Sequence, residues 1–258
     1  MSLRWNKYIA VIGTEITITL SGKPLAQAQK HGAAPARNAV ARSVYFDALI
    51  AALPRSQLSI LDGIEVAVGY PYVNHMILPW QDEIIAPADR LAYAESMLQQ
   101  HYGLVRADWY CEISQEKFGC PAIASAIRRD IVDEILLACN TQKLRVQRVQ
   151  TLLSDTIDRH PGVLHADAVF IVQQAEGYEF GFRRDGRWCN AFALPGQGQN
   201  AADCLMSASI MANIFPTNVY LSDLSDAAVF SPANNTRSDT QLSGVEVVTA
   251  QERTHDHL

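Results

Sequence analysis

The sequence lacks any long hydrophobic run. No stretch approaches about 18 uninterrupted apolar residues, the minimum expected of a membrane-spanning helix, so we expect no transmembrane segment. Residues 1–7 lead into a short alternating strand instead of the apolar core of a signal peptide. A positive charge excess is also missing: the formal net charge is −6, whereas nucleic-acid binding normally needs a basic face. We therefore expect a cytoplasmic protein that binds no nucleic acid.

Paired cysteines and recognisable catalytic motifs are also absent. The five cysteines are an odd number without a Cys-x-x-Cys pair, which favours reduced thiols; Cys189, beside Trp188 on a strand, is expected in the core. No serine lies in a Gly-x-Ser-x-Gly motif, and no Walker loop is present. The closely spaced His255 and His257 lie in a polar terminus, where a ligand sphere would not be fixed. We predict no catalytic residue and no metal site, and therefore a protein that is not an enzyme.

Residues 166–196 form the best-defined module of the sequence. An apolar run at 169–172 predicts one strand. Tyr178, Phe180 and Phe182 then alternate with Glu179, Gly181 and Arg183, which is typical of a second, half-buried strand whose polar face meets solvent. Asp185 and Gly186 form a strong hairpin signal because both tolerate positive φ. A third strand is expected to end at Pro195, and a helix follows from about residue 200.

The remaining elements alternate between strands and helices. Among them are strands expected at 73–78 and 109–113 and a helix expected over 89–102, with Pro87 near its start and Gly103 just past its end. The predicted order is ββ–α–ββ–α–ββ–α–β–α followed by βββ–α–β, which indicates an α/β protein with mixed sheets in two lobes. Helix 130–140 is expected to turn Leu136 inward, and helix 201–214 to bury Ile210 or Met211. The predicted divisions are a first lobe at 1–160 with an inserted α/β subdomain at about 57–150, a reduced second lobe at 161–224, and a polar tail, expected to be flexible, at 225–258.

Several short stretches resemble the actin-like superfamily, in particular the pilus assembly protein PilM and the cytoplasmic domain of GspL of type II secretion. Residues 12–20 are similar to that family's first hairpin, and residues 64–80 to its strand pair ending in Leu-Pro. Residues 122–136 resemble its next strand–helix step, residues 147–150 its exit strand from the first lobe, and residues 168–196 its second-lobe repeat. The resemblance implies a two-lobed actin-like, or ribonuclease H-like, fold. An unrelated two-lobed α/β protein without internal duplication is the alternative.

The match fails where actin-like ATPases hold Mg²⁺ and nucleotide between two hairpins, one per lobe. The family has an aspartate ahead of the first turn, where this chain has Val11, Ile12 and Gly13. The matching strand of the second lobe, 169–175, has neither the acid nor the glycine of a phosphate loop. The resemblance therefore implies a degenerate nucleotide site, no cofactor and a non-catalytic scaffold.

An alternative interpretation keeps a weak ATP/Mg²⁺ site in a divergent actin-like ATPase. Its nucleotide contacts would be Gly13 and Thr14 at the first turn and Gly196 and Gly198 before a helix. For Gly13 and Thr14 a simple hairpin turn is the favoured explanation. A lone Gly-x-Gly is likewise a weak indication of phosphate binding.

Aromatic residues at the two ends of one strand are the candidate partner surface. Tyr70 and Tyr72 precede the strand, and Pro79 and Trp80 follow it; rings of this kind favour interface anchoring, although Trp80 could instead cap the core. The resemblance implies docking of the cytoplasmic tail of a single-pass, PilN-like inner-membrane protein, which would hold the chain peripherally at the inner membrane. A pilus or secretion ATPase and a second copy of the chain are further candidate partners.

Overall fold

The computed structural model describes residues 6–13, 16–20, 23–24, 46–56, 61–114, 117–159, 165–196, 199–223 and 246–247. Its strands are β1 (Lys7–Ile12), β2 (Ile16–Leu20), β3 (Lys23–Pro24), β4 (Gly63–Val68), β5 (Val73–Leu78), β6 (Trp109–Ile113), β7 (Ala122–Arg128), β8 (Arg145–Thr151), β9 (Ala168–Gln173), β10 (Gly177–Arg184), β11 (Arg187–Pro195), β12 (Asn218–Asp223) and β13 (Glu246–Val247). Its helices are α1 (46–51), α2 (Pro87–Tyr102), α3 (Arg129–Thr141), α4 (Leu152–Arg159) and α5 (Ala201–Ala212). The predicted domain boundaries near residues 160 and 224 adjoin residues outside these ranges and stay predictions. The same holds for the predicted tail, of which residues 246–247 are described.

Two five-stranded sheets repeat one topology. The first has the order β3-β2-β1-β4-β8 and the second the order β11-β10-β9-β12-β13. In each sheet the central strand pairs antiparallel with the next strand in sequence and parallel with a later one: β1 with β2 and β4, and β9 with β10 and β12. The internal duplication excludes the unrelated α/β protein that the sequence left open.

A third sheet lies between β4 and β8 in the sequence. It is antiparallel, with the order β5-β7-β6, and α2 packs its Ala94 and Leu98 against it. The predicted limits of α2 are confirmed: Pro87 begins the helix, and Gly103 ends it with φ 68°. The insertion brings β5 against β11 of the second five-stranded sheet.

Strand β10 is buried on both faces, and not half-buried as its alternation predicts. Tyr178, Phe180 and Phe182 pack towards α5, and Phe180 and Phe182 are 0% exposed. Glu179, predicted on the solvent side, is also 0% exposed. The turn at Asp185 and Gly186, with φ values of 52° and 75°, is confirmed.

Predicted core side chains on α3, α5 and β11 lie at the surface. On α3 the buried stripe contains Ile131, Ile135 and Ala138, and Leu136, one position off that stripe, is 40% exposed. On α5 the buried stripe is Cys204, Leu205, Ala208 and Ser209, so both Ile210 (63%) and Met211 (62%) are exposed. These predictions were wrong because each helix is apolar over more than one face, and periodicity alone could not choose between the faces. Cys189 is likewise exposed, because alternation places it opposite the buried Trp188.

Candidate functional site: the crevice between the sheets

The carboxyl ends of parallel strands from both sheets meet in one crevice. Strand β1 leads into Gly13, β4 into Gly69, and β9 into Gln174. The Gly69 N–H donates to the Ile12 carbonyl at 2.7 Å, which fixes the first two ends together. Ligands of open α/β sheets bind at such a position, outside the carboxyl ends of the strands.

Gln174 occupies the space between the two glycines of the first sheet. It is 7% exposed, and its N–H closes the β9–β10 turn by donating to the Gly177 carbonyl at 2.9 Å. A Cβ on Gly13 would lie 2.2 Å from Gln174 Oε1, and a Cβ on Gly69 would lie 2.6 Å from Gln174 Nε2. The amide therefore fits only because residues 13 and 69 lack side chains.

The ring of Tyr70 fills the crevice beside Gly177. A Cβ on Gly177 would lie 2.2 Å from Cδ1 of that ring. Tyr70 belongs to the β4–β5 connection and Gly177 begins β10, so the contact joins the first sheet to the second. The glycine provides the flat surface on which the ring lies.

Glu179 connects the second sheet to three other elements. Its Oε1 accepts from the Tyr70 N–H at 3.0 Å and from Gln174 Nε2 at 2.7 Å. Its Oε2 accepts from the Leu153 N–H, in the first turn of α4, at 3.2 Å and contacts His75 Nε2 at 3.0 Å. A buried carboxylate with several donors is the arrangement that offsets the cost of removing its charge from water.

His75 extends this network into the inserted sheet. Its Nδ1 lies 2.8 Å from Ser125 Oγ, and Ser125, His75 and Glu179 are all 0% exposed. Tyr102 donates its hydroxyl to the His75 carbonyl, and burial raises the pKa of that phenol, so it remains a donor at neutral pH. A hydroxyl, an imidazole and a carboxylate in a row resemble a catalytic relay. Here no substrate reaches Ser125 Oγ, because the three side chains are enclosed.

Two residues of the alternative nucleotide site, Gly13 and Gly196, are in contact with other parts of the chain. Gly13 faces Gln174, and the Gly196 N–H is taken by the Glu176 carbonyl at 2.9 Å. The first turn of α5 is capped by its own chain, since Asn200 Oδ1 accepts from the Asp203 N–H at 2.9 Å. Thr14 and Gly198 lie outside the described residues.

The four candidate partner-binding residues lie at opposite ends of β5. Tyr70 is in the crevice, and Tyr72 is 4% exposed in the core of the first sheet. Pro79 and Trp80 follow the other end of β5, a strand about 16 Å long at 3.3 Å per residue. The structure therefore brings together Pro79 and Trp80 only.

Trp80 belongs to a small aromatic cluster at the surface of the insertion. Its ring meets Phe118 edge to face, with centroids 4.6 Å apart, and the Arg90 guanidinium lies 5.2 Å from its centroid. Phe118 is 76% exposed. We call Pro79, Trp80, Arg90 and Phe118 the Trp80 cluster.

Apart from Tyr70, the sequence did not single out the residues of the crevice and of the buried network behind it, which are Gln174, Glu179, His75 and Ser125. One signal was present: Gly177 and Gly181 flank Glu179 on the same face of β10. Two glycines on one strand face indicate that another element approaches closely. The alternation of apolar and polar residues along β10, considered without these two glycines, predicts that Glu179 faces solvent.

The described part of the chain shows neither a metal-binding cluster nor a membrane-spanning helix. Within the described ranges, no three or more histidine, cysteine or acidic side chains are grouped so that they could hold a metal ion. His255 and His257 lie outside those ranges. No helix in the described part of the chain is long and apolar enough to cross a membrane.

Solved structures share the architecture at low sequence identity. A Bacteroides thetaiotaomicron protein with an actin-like ATPase fold and unknown function is 9% identical, with a TM-score of 0.55, over 85% of this chain and 82% of that one. The cytoplasmic domain of EpsL, an inner membrane component of the Vibrio cholerae type II secretion system, is 10% identical, with a TM-score of 0.54, over 96% and 90%. In a PilM-PilN type IV pilus biogenesis complex, the matching chain is 11% identical, with a TM-score of 0.51, over 95% and 88%.

These likenesses show that the chain has the actin-like fold. The fold class predicted from the sequence, and the resemblance to PilM and to the cytoplasmic domain of GspL at the level of fold, are confirmed. No protein-family model matches the sequence, and no curated protein does.

Proposed function

We propose that the chain is a non-catalytic scaffold of an inner-membrane assembly platform of the type II secretion or type IV pilus class. The observation that carries the proposal is the filled crevice. Gln174, Tyr70 and Glu179 occupy the position where the strand ends of both sheets would hold a ligand. The neighbouring structures support the class of machine, because one is an inner membrane component of type II secretion and another a pilus biogenesis complex.

Nucleotide binding separates this scaffold from the alternative actin-like ATPase. We expect Mg-ATP to leave the thermal midpoint of unfolding unchanged, because the phosphates would have to displace the buried Gln174 amide and the half-buried Tyr70 ring. Binding at a hundredfold excess over Kd would stabilise the folded state by about 2.7 kcal/mol, which amounts to several degrees for a chain of this size. A concentration-dependent rise with Mg-ATP, absent with magnesium chloride alone, would establish the ATPase instead.

The proposed partner is the cytoplasmic tail of a single-pass, PilN-like inner-membrane protein. This partner would place the chain peripherally on the cytoplasmic side. Within the described residues, the Trp80 cluster is the best-formed anchor because it combines tryptophan, arginine and an exposed phenylalanine. Aromatic and arginine side chains of this kind dominate the binding energy of many interfaces.

Substitutions in the Trp80 cluster test this surface. We expect Trp80→Ala and Phe118→Ala each to weaken binding of such a tail peptide at least tenfold, since anchors of this kind contribute about 2 kcal/mol or more. Calorimetric titration of the purified chain with the peptide measures the effect. Leu137→Ala, at a position on α3 that is 67% exposed, is the control and should leave Kd unchanged.

Two outcomes of the titration count against the proposal in different ways. If the chain binds no tail from any single-pass assembly subunit, the scaffold function is wrong. If it binds a tail but both variants bind as the parent does, the function stands and the docking surface lies elsewhere.

A further inference from the structure

The carboxylate of Glu179 is enclosed by donors from four separate parts of the chain. The backbone N–H groups of Tyr70 and Leu153 lie 3.0 and 3.2 Å from its oxygens. The amide nitrogen of Gln174 lies at 2.7 Å and His75 Nε2 at 3.0 Å. The side chain is 0% exposed, so these groups replace its water entirely.

The donors form a site for an anion in its own right. Tyr70 precedes β5, Leu153 lies in the first turn of α4, Gln174 lies in the β9–β10 turn, and His75 is on β5. A helix N-terminus carries partial positive charge and free N–H groups, which favours a negatively charged ligand. Successive N–H groups and amide donors around one point are the means by which proteins bind carboxylate and phosphate.

We propose that these donors constitute an anion-binding site that the fold fills with its own side chain. Glu179 is a tethered ligand: from β10 it binds the connection to β5, the start of α4 and the inserted sheet at once. The two sheets are thereby held together without a diffusible ligand. The four donors alone define this site, whichever partner the chain binds.

Removal of the tether should leave a site of known size. Glu179→Ala deletes the Cγ methylene and the carboxylate, which together match one acetate ion. Glu179→Gln keeps the volume but replaces one acceptor oxygen with an NH₂ group that faces the donors. Glu179→Ala therefore opens an anion site. Glu179→Gln fills the same site with a neutral amide, which lacks the negative charge.

The test is thermal unfolding of the full chain in sodium acetate and sodium formate. Sodium chloride at matched ionic strength is the reference, and parent, Glu179→Ala and Glu179→Gln are compared. We expect both variants to lose several degrees of Tm, since each removes one partner from a buried polar network. Only Glu179→Ala should regain part of its loss in acetate or formate, with a saturable dependence on concentration.

Two results would overturn the proposal. One is a Glu179→Gln variant as stable as the parent, which would mean that the donors do not need an anion. The other is a response of Glu179→Ala to acetate no larger than that of the parent. If Glu179→Ala does not fold, the Glu179→Gln comparison still decides the first point. Acetate-dependent recovery of Glu179→Ala on dilution from urea, again against chloride, then decides the second.

Discussion

Replacing Phe180 with alanine is expected to lower the free energy of unfolding by about 3–5 kcal/mol, the usual cost of deleting a buried aromatic ring. Phe180 is 0% exposed and lies in the hydrophobic core between the second five-stranded sheet and α5. Its ring centroid lies 5.7 Å from that of Phe192 and 6.2 Å from that of Phe182. Both neighbours are on paired strands, so they cannot collapse into the cavity, and little of the loss is recovered.

Urea denaturation measures this effect, with Phe118→Ala as the matched control. Phe118 is the same residue type but is 76% exposed, so its removal should change stability by no more than about 0.5 kcal/mol. The dependence of the free energy on urea should be unchanged in both variants. Similar losses for Phe180→Ala and Phe118→Ala would mean that β10 is not at the centre of a core.

Gly177→Ala is expected to destabilise the protein by about 2–3 kcal/mol through steric overlap in the crevice. The added methyl group would lie 2.2 Å from Cδ1 and 2.8 Å from Cε1 of the Tyr70 ring. The Tyr70 backbone cannot shift freely, because its N–H is bound to the buried Glu179, so the overlap is relieved only if the ring leaves its place beside Gly177. Gly177 is not among the glycines with positive φ, so the backbone itself would accept alanine.

Gly63→Ala provides the comparison for Gly177→Ala. It also places a Cβ 2.2 Å from a neighbouring side chain, here the amide end of Gln147. Gln147 is exposed and can turn into solvent, so we expect a change within about 0.5 kcal/mol. Thermal unfolding of the two variants side by side separates the effects. Equal losses would show that the strand backbone, and not the Tyr70 contact, requires glycine at residue 177.

The sequence predicted the elements well where local rules decide them. Strand β5 and strand β6 have the predicted limits, Gly103 ends α2, and the turn at Asp185 and Gly186 has the expected positive φ values. Proline, glycine and hairpin residues act through their own backbone, so their effect can be read without knowledge of the rest of the fold.

The predictions that failed depend on which surface another element covers. Periodicity identified α5 as a helix but could not choose between two apolar faces. It predicted that Ile210 or Met211 is buried, and both are exposed. Glu179 was placed in solvent because the insertion that carries His75 lies more than 100 positions away in the sequence. Burial by a distant segment does not change the local pattern of apolar and polar residues. Here the flanking glycines 177 and 181 are the only local indication of it.

The filled crevice also has an evolutionary consequence. The amide of Gln174 occupies the space that side chains at Gly13 and Gly69 would need, and Tyr70 does the same at Gly177. These positions should therefore change together or not at all among relatives of this chain. A lineage with a shorter residue at 174 could acquire side chains at 13 and 69, whereas each change alone would be selected against.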